Sequence, residues 1–149
     1  MIRALKVRHF FKTREKEQIV AAIQKAEALT SGEIRVHVES YAGPDPVDRA
    51  RQVFETLGMA KTALQNGVLI YLAVTDRKFA IIGDAGIDRV VPRDFWNDTK
   101  EKMQNLFREG KFAAGVCHGI EMAGLHLAQY FPCRPDDVNE LKNDISEGF

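Results

Sequence analysis

Five carboxylates stand where this chain changes direction: Glu33 behind Ser31-Gly32, Asp84 and Asp88 within Gly83-Asp-Ala-Gly-Ile-Asp88, and Asp94 and Asp98 four residues apart at a helix opening. Hard oxygen donors of this kind suit a hard divalent cation such as calcium or magnesium. The competing assignment gives each aspartate a local duty, Asp94 capping a helix, Asp84 holding a turn and Asp98 facing solvent. A second group comprises Ser40, Asp45 and Asp76, the last in the Thr75–Lys78 turn, where aspartate serves turn geometry. No phosphate loop, paired metal-binding histidines or EF-hand run occurs, and Gly83-Asp-Ala-Gly86 has neither the length nor the strand-to-helix context of a nucleotide fingerprint. His37, His118 and His126 read as structural, since no convergent partners accompany them, and Trp96 beside Phe95 reads as core.

These side chains depend on a simple order of elements. Thr13 is a candidate cap with Glu15 and Glu17 behind it, and Ile19, Ile23, Ala26 and Thr30 recur at helical spacing, which predicts a helix over residues 14–29 closed by Gly32. Ile34, Val36 and Val38 alternate with Arg35, His37 and Glu39, the period of a strand with one less buried face. Asp45-Pro46 opens a second helix, carried by Val47, Ala50, Val53, Phe54 and Leu57 to Gly58. Val68 to Val74 is a continuous β-prone run, expected in the middle of the sheet with both faces covered. Thr75 to Lys78 joins it to Phe79-Ala-Ile-Ile82, a link that allows a hairpin and is too short for a crossover.

Pro92 to Asp94 supplies another helix start, continued by Phe95, Thr99, Met103, Leu106 and Phe107. Gly110 separates it from a last helix over residues 111–131, striped by Phe112, Val116, Ile120, Ala123 and Leu127. Gly115 and Gly119 lie beside that stripe, where another backbone can approach closely. The second helix is a crossover that makes the first two strands parallel, and the hairpin sets the third antiparallel to both. One sheet edge then gathers Glu33, Gln65, Asn66, Asp84 and Asp88, with Asp94 and Asp98 directed toward it. The expected fold is α/β, a three-layer α/β/α sandwich with a small mixed sheet in a single domain.

Lys plus Arg and Asp plus Glu number 21 each, so the formal charge is zero and no net field draws nucleic acid or anionic lipid. Cys117 and Cys133 are too few for a disulfide framework and fit a reducing compartment. The run from Val68 to Val74 falls far short of the roughly 20 residues of a bilayer span, and Met1 to Phe11 lacks the apolar stretch of a secretory signal. A cytoplasmic protein that inserts in no membrane and binds no nucleic acid is expected.

Ser31-Gly-Glu-Ile-Arg-Val36, Gln65-Asn-Gly-Val-Leu-Ile-Tyr71, Asp76-Arg77 and Gly83-Asp-Ala-Gly-Ile87, in that order and spacing, resemble the TPM domain family over roughly residues 13–131. The resemblance implies an α/β/α sandwich. Relatives include plant thylakoid-lumen proteins linked to photosystem II repair, one described as an acid phosphatase, and small bacterial proteins, some described as binding calcium. Many carry a signal peptide and a membrane anchor, whereas this chain is similar to the stand-alone bacterial branch. Where relatives usually have Asp before the Asn-Gly of the second strand, this chain has Gln65, whose amide keeps an oxygen but removes a charge from a divalent-cation site.

The leading expectation is a regulatory or accessory domain that binds a divalent cation, calcium favoured over magnesium, through Glu33, Asp84, Asp88, Asp94 and Asp98. One alternative is a metal-assisted phosphatase acting on phosphomonoesters. Another is a non-catalytic module that meets a protein partner through an acidic tail or a concave edge. Residues 1–12 are expected as an N-terminal extension, and 132–149 as an acidic tail, extended or docked.

Overall fold

A computed structural model of the chain describes residue 7, residues 9–133 and residues 145–148. In chain order its elements are α1 (Thr13–Glu27), β1 (Glu33–Glu39), α2 (Pro46–Thr56), a 3-10 turn (Met59–Lys61), β2 (Gly67–Ala73), β3 (Lys78–Gly83), α3 (Ala85–Asp88), α4 (Asn97–Arg108), α5 (Phe112–Tyr130) and β4 (Ile145–Glu147).

The sheet runs β3-β2-β1-β4. β1 and β2 are parallel, with Glu33 opposite Gly67 and Glu39 opposite Ala73, and β3 returns antiparallel with Gly83 opposite Val68. Every residue of β2 is buried, as a strand covered on both faces requires. β4 lies in the stretch expected as an extended or docked tail and runs parallel to β1, Val36 opposite Ile145 and Val38 opposite Glu147. Three residues with one apolar member carry no readable period, so only the pairing reveals this strand.

Alternate residues of each strand face opposite layers. On one side Ile34, Val36, Val68, Ile70 and Ile81 meet Ile19 and Ile23 of α1, Met103 of α4, and Ile120 and Leu127 of α5. Val7 and Phe11, from the segment expected as an extension, are buried in this core as well. On the other side Leu69, Tyr71, Ala80 and Ile82 meet Ala50, Val53 and Phe54 of α2, and Met59. The sheet is thus the middle of three α/β/α layers.

Several local expectations are corrected. The polar face of β1 is largely closed as well: Glu33, His37 and Glu39 are each 5% exposed or less and only Arg35 is partly open, with Arg49 of α2 on Glu39 and Tyr71 and Ser146 of the neighbouring strands on His37. Lys12, rather than Thr13, is the residue preceding α1, and its amide donates to Glu15. α4 begins at Asn97, not at Pro92 to Asp94, because the bonds from Phe95 N–H to Pro92 O and from Asn97 N–H to Asp94 O close isolated turns before Lys100 N–H reaches Trp96 O. Gly83 to Asp88 does more than leave the sheet, since residues 85–88 form the single turn of α3. A Cβ on Gly115 or Gly119 would lie 2.4 Å from the Phe107 ring or 2.7 Å from the Met103 sulfur, so both glycines admit α4 side chains. The close backbone approach occurs instead at Gly124, where a Cβ would come within 2.9 Å of Ala26 Cα.

Candidate functional site

The starts of β1 and β2 and the exit of β3 share one sheet edge. Gly67 is opposite Glu33 on one side, and its carbonyl accepts the Asp84 amide at 2.9 Å on the other. By strand parity Glu33, Gly67 and Asp84 share the α2 side of the sheet, and the row contains two buried carboxylates separated by a residue without a side chain. Above Gly67 lie the methyl group and carbonyl of Met59, each 3.6 Å from where a Cβ would stand.

Asp84 is the N-cap of α3: one carboxylate oxygen accepts from Ala85 N–H at 2.7 Å, while Oδ2 is buried with no hydrogen-bond partner among the described residues. An unsatisfied buried carboxylate oxygen is costly and calls for an explanation such as an ion. Close by, the Glu27 carboxylate accepts from Ile34 N–H at 2.9 Å. Burial, opposed by that bond and reinforced by the charge of Glu33, raises the Glu27 carboxyl to about 7.

The remaining predicted ligands are placed differently. Asp88 ends α3, Asp94 precedes α4 and Asp98 is in the first turn of α4, and all three are exposed. Among the described residues no three His, Cys, Asp or Glu side chains form a group able to hold a metal ion. The Gln65 amide oxygen accepts from Arg89 Nη2 at 2.6 Å, so this oxygen engages a guanidinium. Arg35, two residues beyond Glu33 on the same face, has a buried Nε without a hydrogen-bond partner among the described residues.

A Cβ on Gly86 would lie 2.4 Å from the Gln65 carbonyl and 2.5 Å from that of Leu64, while the Gly86 amide donates to Gln65 O at 2.8 Å. The glycine therefore clamps α3 to the loop that opens β2. Asn66 joins the same edge, its amide 3.4 Å from the Ser31 hydroxyl.

At the far ends of β1 and β2 a second polar cluster forms from residues that no single sequence segment brings together. His37 and Tyr71 are cross-strand neighbours with stacked rings, 6.1 Å apart and 12° from parallel. Glu39 accepts from Arg49 through Nε at 2.6 Å and Nη2 at 2.9 Å, from the Tyr71 hydroxyl, and from His37 Nε2 at 3.0 Å. Burial pushes the Glu39 carboxyl up, but the bonds from His37, Arg49 and Tyr71 outweigh it and hold the group at about 2. Burial, then the hydrogen bond to Glu39 and its charge, drive the Tyr71 hydroxyl well above its ordinary value, so it stays protonated. On the other side of the ring, Nδ1 is hydrogen-bonded to the Ser146 hydroxyl, 2.8 Å away.

Hydroxyl, imidazole and carboxylate follow here in the order of a nucleophile relay. Glu39 is nevertheless saturated by Arg49 and Tyr71, and His37 is fully buried, so the line serves to fasten β4 to β1. The available signal was the period-two run Arg35, His37, Glu39 facing a tyrosine in a wholly apolar strand. Nearby, Asp45 caps α2 by accepting from Val47 N–H at 2.9 Å, and Asp76 accepts from Ala42 N–H at 2.7 Å, so both carboxylates hold backbone.

Comparison with known proteins places this architecture. The family model of the TPM domain matches residues 6–124. The solution NMR structure of the BA42 protein from the psychrophilic bacterium Bizionia argentinensis is similar at 52% identity and a TM-score of 0.88, covering 93% of this chain and 96% of that one. Solution structures of the N-terminal domains of a P. gingivalis protein and of cg2496 from Corynebacterium glutamicum share the fold at 18% and 19% identity, with TM-scores of 0.66 and 0.61. The first match covers 81% of this chain and 78% of its own, and the second 77% and 72%. No protein with a curated description matches. Among the described residues no helix is long and apolar enough to cross a membrane.

Proposed function

Because the chain belongs to the TPM domain family, we propose that it is a divalent-cation-binding domain whose anchor is the pair Glu33 and Asp84. The observation that carries this reading is the buried Asp84 Oδ2, which lacks a hydrogen-bond partner among the described residues and lies across Gly67 from a second buried carboxylate. Both residues offer hard oxygens. Calcium accepts irregular oxygen shells completed by water and backbone carbonyls, whereas magnesium demands a near-ideal octahedron, so two carboxylates on an open edge favour calcium. Asp88, Asp94 and Asp98 contribute negative field to the approach rather than direct ligation.

Calcium and magnesium titrations followed by amide NMR shifts and by melting temperature test the reading. Calcium should move residues 31–34, 65–68 and 83–88 and raise the melting temperature, with about 2.7 kcal/mol of added stability at a hundredfold excess over Kd. Asp84→Asn preserves the helix cap yet removes the charge, and should abolish the shifts. Unchanged spectra at millimolar calcium, or shifts confined to the C-terminal residues, would overturn the proposal.

Phosphomonoester hydrolysis is a second reading, favoured by Arg35 and Arg89 at the same edge. There a cation held by Glu33 and Asp84 would polarise a phosphoryl oxygen while a guanidinium orients it. Turnover of an aryl phosphate that depends on both calcium and Arg35 is the required result. Its absence leaves cation binding alone.

A further inference from the structure

Opposite the acidic edge, where β2 ends and the β2–β3 turn begins, a cleft of about 740 Å³ opens between that turn, the end of α4 and the start of α5. Its volume falls in the range of small-molecule sites. Phe79, Phe107 and Phe112 supply an aromatic wall, Phe107 being edge-on to Phe79 at 5.0 Å and stacked on Phe112 at 5.8 Å. Arg77, Lys78 and Arg108 also line it, and among the described residues no carboxylate does.

The cations differ in what already occupies them. Lys78 Nζ donates to the Gly43 carbonyl at 3.1 Å. The guanidiniums of Arg77 and Arg108 make no hydrogen bond or ion pair among the described residues. Arg77 also adopts φ 57°, a left-handed conformation that costs an ordinary side chain roughly 1–2 kcal/mol and that glycine takes freely. A strained arginine at a hairpin tip, facing an apolar cleft without a counter-charge, invites a functional explanation. The first turn of α5 adds positive potential, since it has no acidic residue and no side-chain cap.

We propose that this cleft binds a small amphipathic anion, its apolar body against Phe79, Phe107 and Phe112 and its carboxylate or phosphate headgroup held by Arg77 and Arg108. The aromatic wall accounts for an apolar body, and two uncommitted guanidiniums account for a planar or tetrahedral oxyanion. The site is at the other end of β2 from Glu33 and Asp84, so it stands or falls independently of cation binding.

The full chain is titrated with decanoate, decyl phosphate, decanol and inorganic phosphate while amide shifts are recorded. Decanoate or decyl phosphate should saturably move residues 72–79 and 104–112, the tighter of the two identifying the headgroup. Decanol and inorganic phosphate should each bind about tenfold more weakly or not at all. Arg77→Gly removes the charge while relieving the backbone strain; it should melt no lower than the parent and lose about tenfold in affinity for the anionic probe. Decanol binding as tightly as decanoate, saturable shifts located elsewhere, no saturable shift with either anion, or unchanged affinity in Arg77→Gly would each overturn the proposal.

Discussion

The Arg49 guanidinium spans both carboxylate oxygens of Glu39, Nε to Oε2 at 2.6 Å and Nη2 to Oε1 at 2.9 Å, and so ties α2 to the last residue of β1. Glu39 is almost fully enclosed, whereas the Arg49 side chain is 28% exposed. Truncating the arginine therefore leaves the more buried partner with one charge-balancing group fewer. Arg49→Met, which keeps the aliphatic stem, should lower stability by about 2 kcal/mol, less than the loss of a fully buried pair because water reaches the vacated position. Denaturant unfolding measures the difference, and a change under about 0.5 kcal/mol contradicts the assigned role.

The same pair sets an acid limb. The folded Glu39 carboxyl titrates at about 2 against an ordinary 4.5, so its contribution is complete above pH 4.5 and is lost as pH falls toward 2. Arg49→Met raises the folded value. The variant should consequently lose less stability than the parent between pH 4.5 and 2, and parallel curves for the two proteins would refute the coupling.

Glu27 has the opposite sign. Its folded carboxyl lies at about 7, above the ordinary 4.5, so the stability it contributes is complete below pH 4.5 and disappears as pH rises through 7. Glu27→Gln can still accept the Ile34 amide bond without a charge in a buried setting. It should stabilise the protein by about 1–3 kcal/mol at pH 8 and hardly at all at pH 4.5, as melting curves at the two values will reveal.

Gly86→Ala places a methyl group 2.4 Å from one backbone carbonyl and 2.5 Å from another. Backbone cannot swing aside as a flexible side chain can. The substitution should cost about 3 kcal/mol and shift the amides of residues 64–67 and 84–88, whereas an alanine tolerated at full stability would show that α3 is not clamped to this loop.

Ser146→Ala removes the hydroxyl hydrogen-bonded to His37 Nδ1 and leaves a buried ring nitrogen without that partner. A loss of about 1 kcal/mol is expected. Because β4 also bonds β1 through Gly148 N–H to Val38 O, hydrogen exchange should quicken first at residues 145–148. Uniform acceleration throughout the sheet would instead mean that β4 is part of the global folding unit.

The layers were readable because their signals are local and repeated. Ile19 and Ile23 recur at helical spacing, Ile34, Val36 and Val38 alternate, and Val68 to Ala73 is apolar throughout, so each segment announces both its type and its buried side. The four-residue link after Val74 excluded a crossover, which is why Glu33 and Asp84 were expected at the same edge and are found there, flanking Gly67. His37, Glu39, Arg49 and Tyr71 gave no comparable signal: a half-polar strand face resembles a solvated one until Arg49, Tyr71 and Ser146 close on it from other elements.

By itself the order of residues determined the hairpin, the parallel crossover and the gathering of β1, β2 and β3 ends, because chain length between strands limits their direction regardless of side-chain detail. Tertiary structure alone decided that Glu33 and Asp84 are buried while Asp88, Asp94 and Asp98 are exposed, that Ile145–Glu147 pairs with β1, and that Arg77 and Arg108 border one cleft. Those outcomes depend on which surfaces meet across long sequence separations. Burial and counter-charge are properties of the assembled surfaces, and no periodicity within a single segment encodes them.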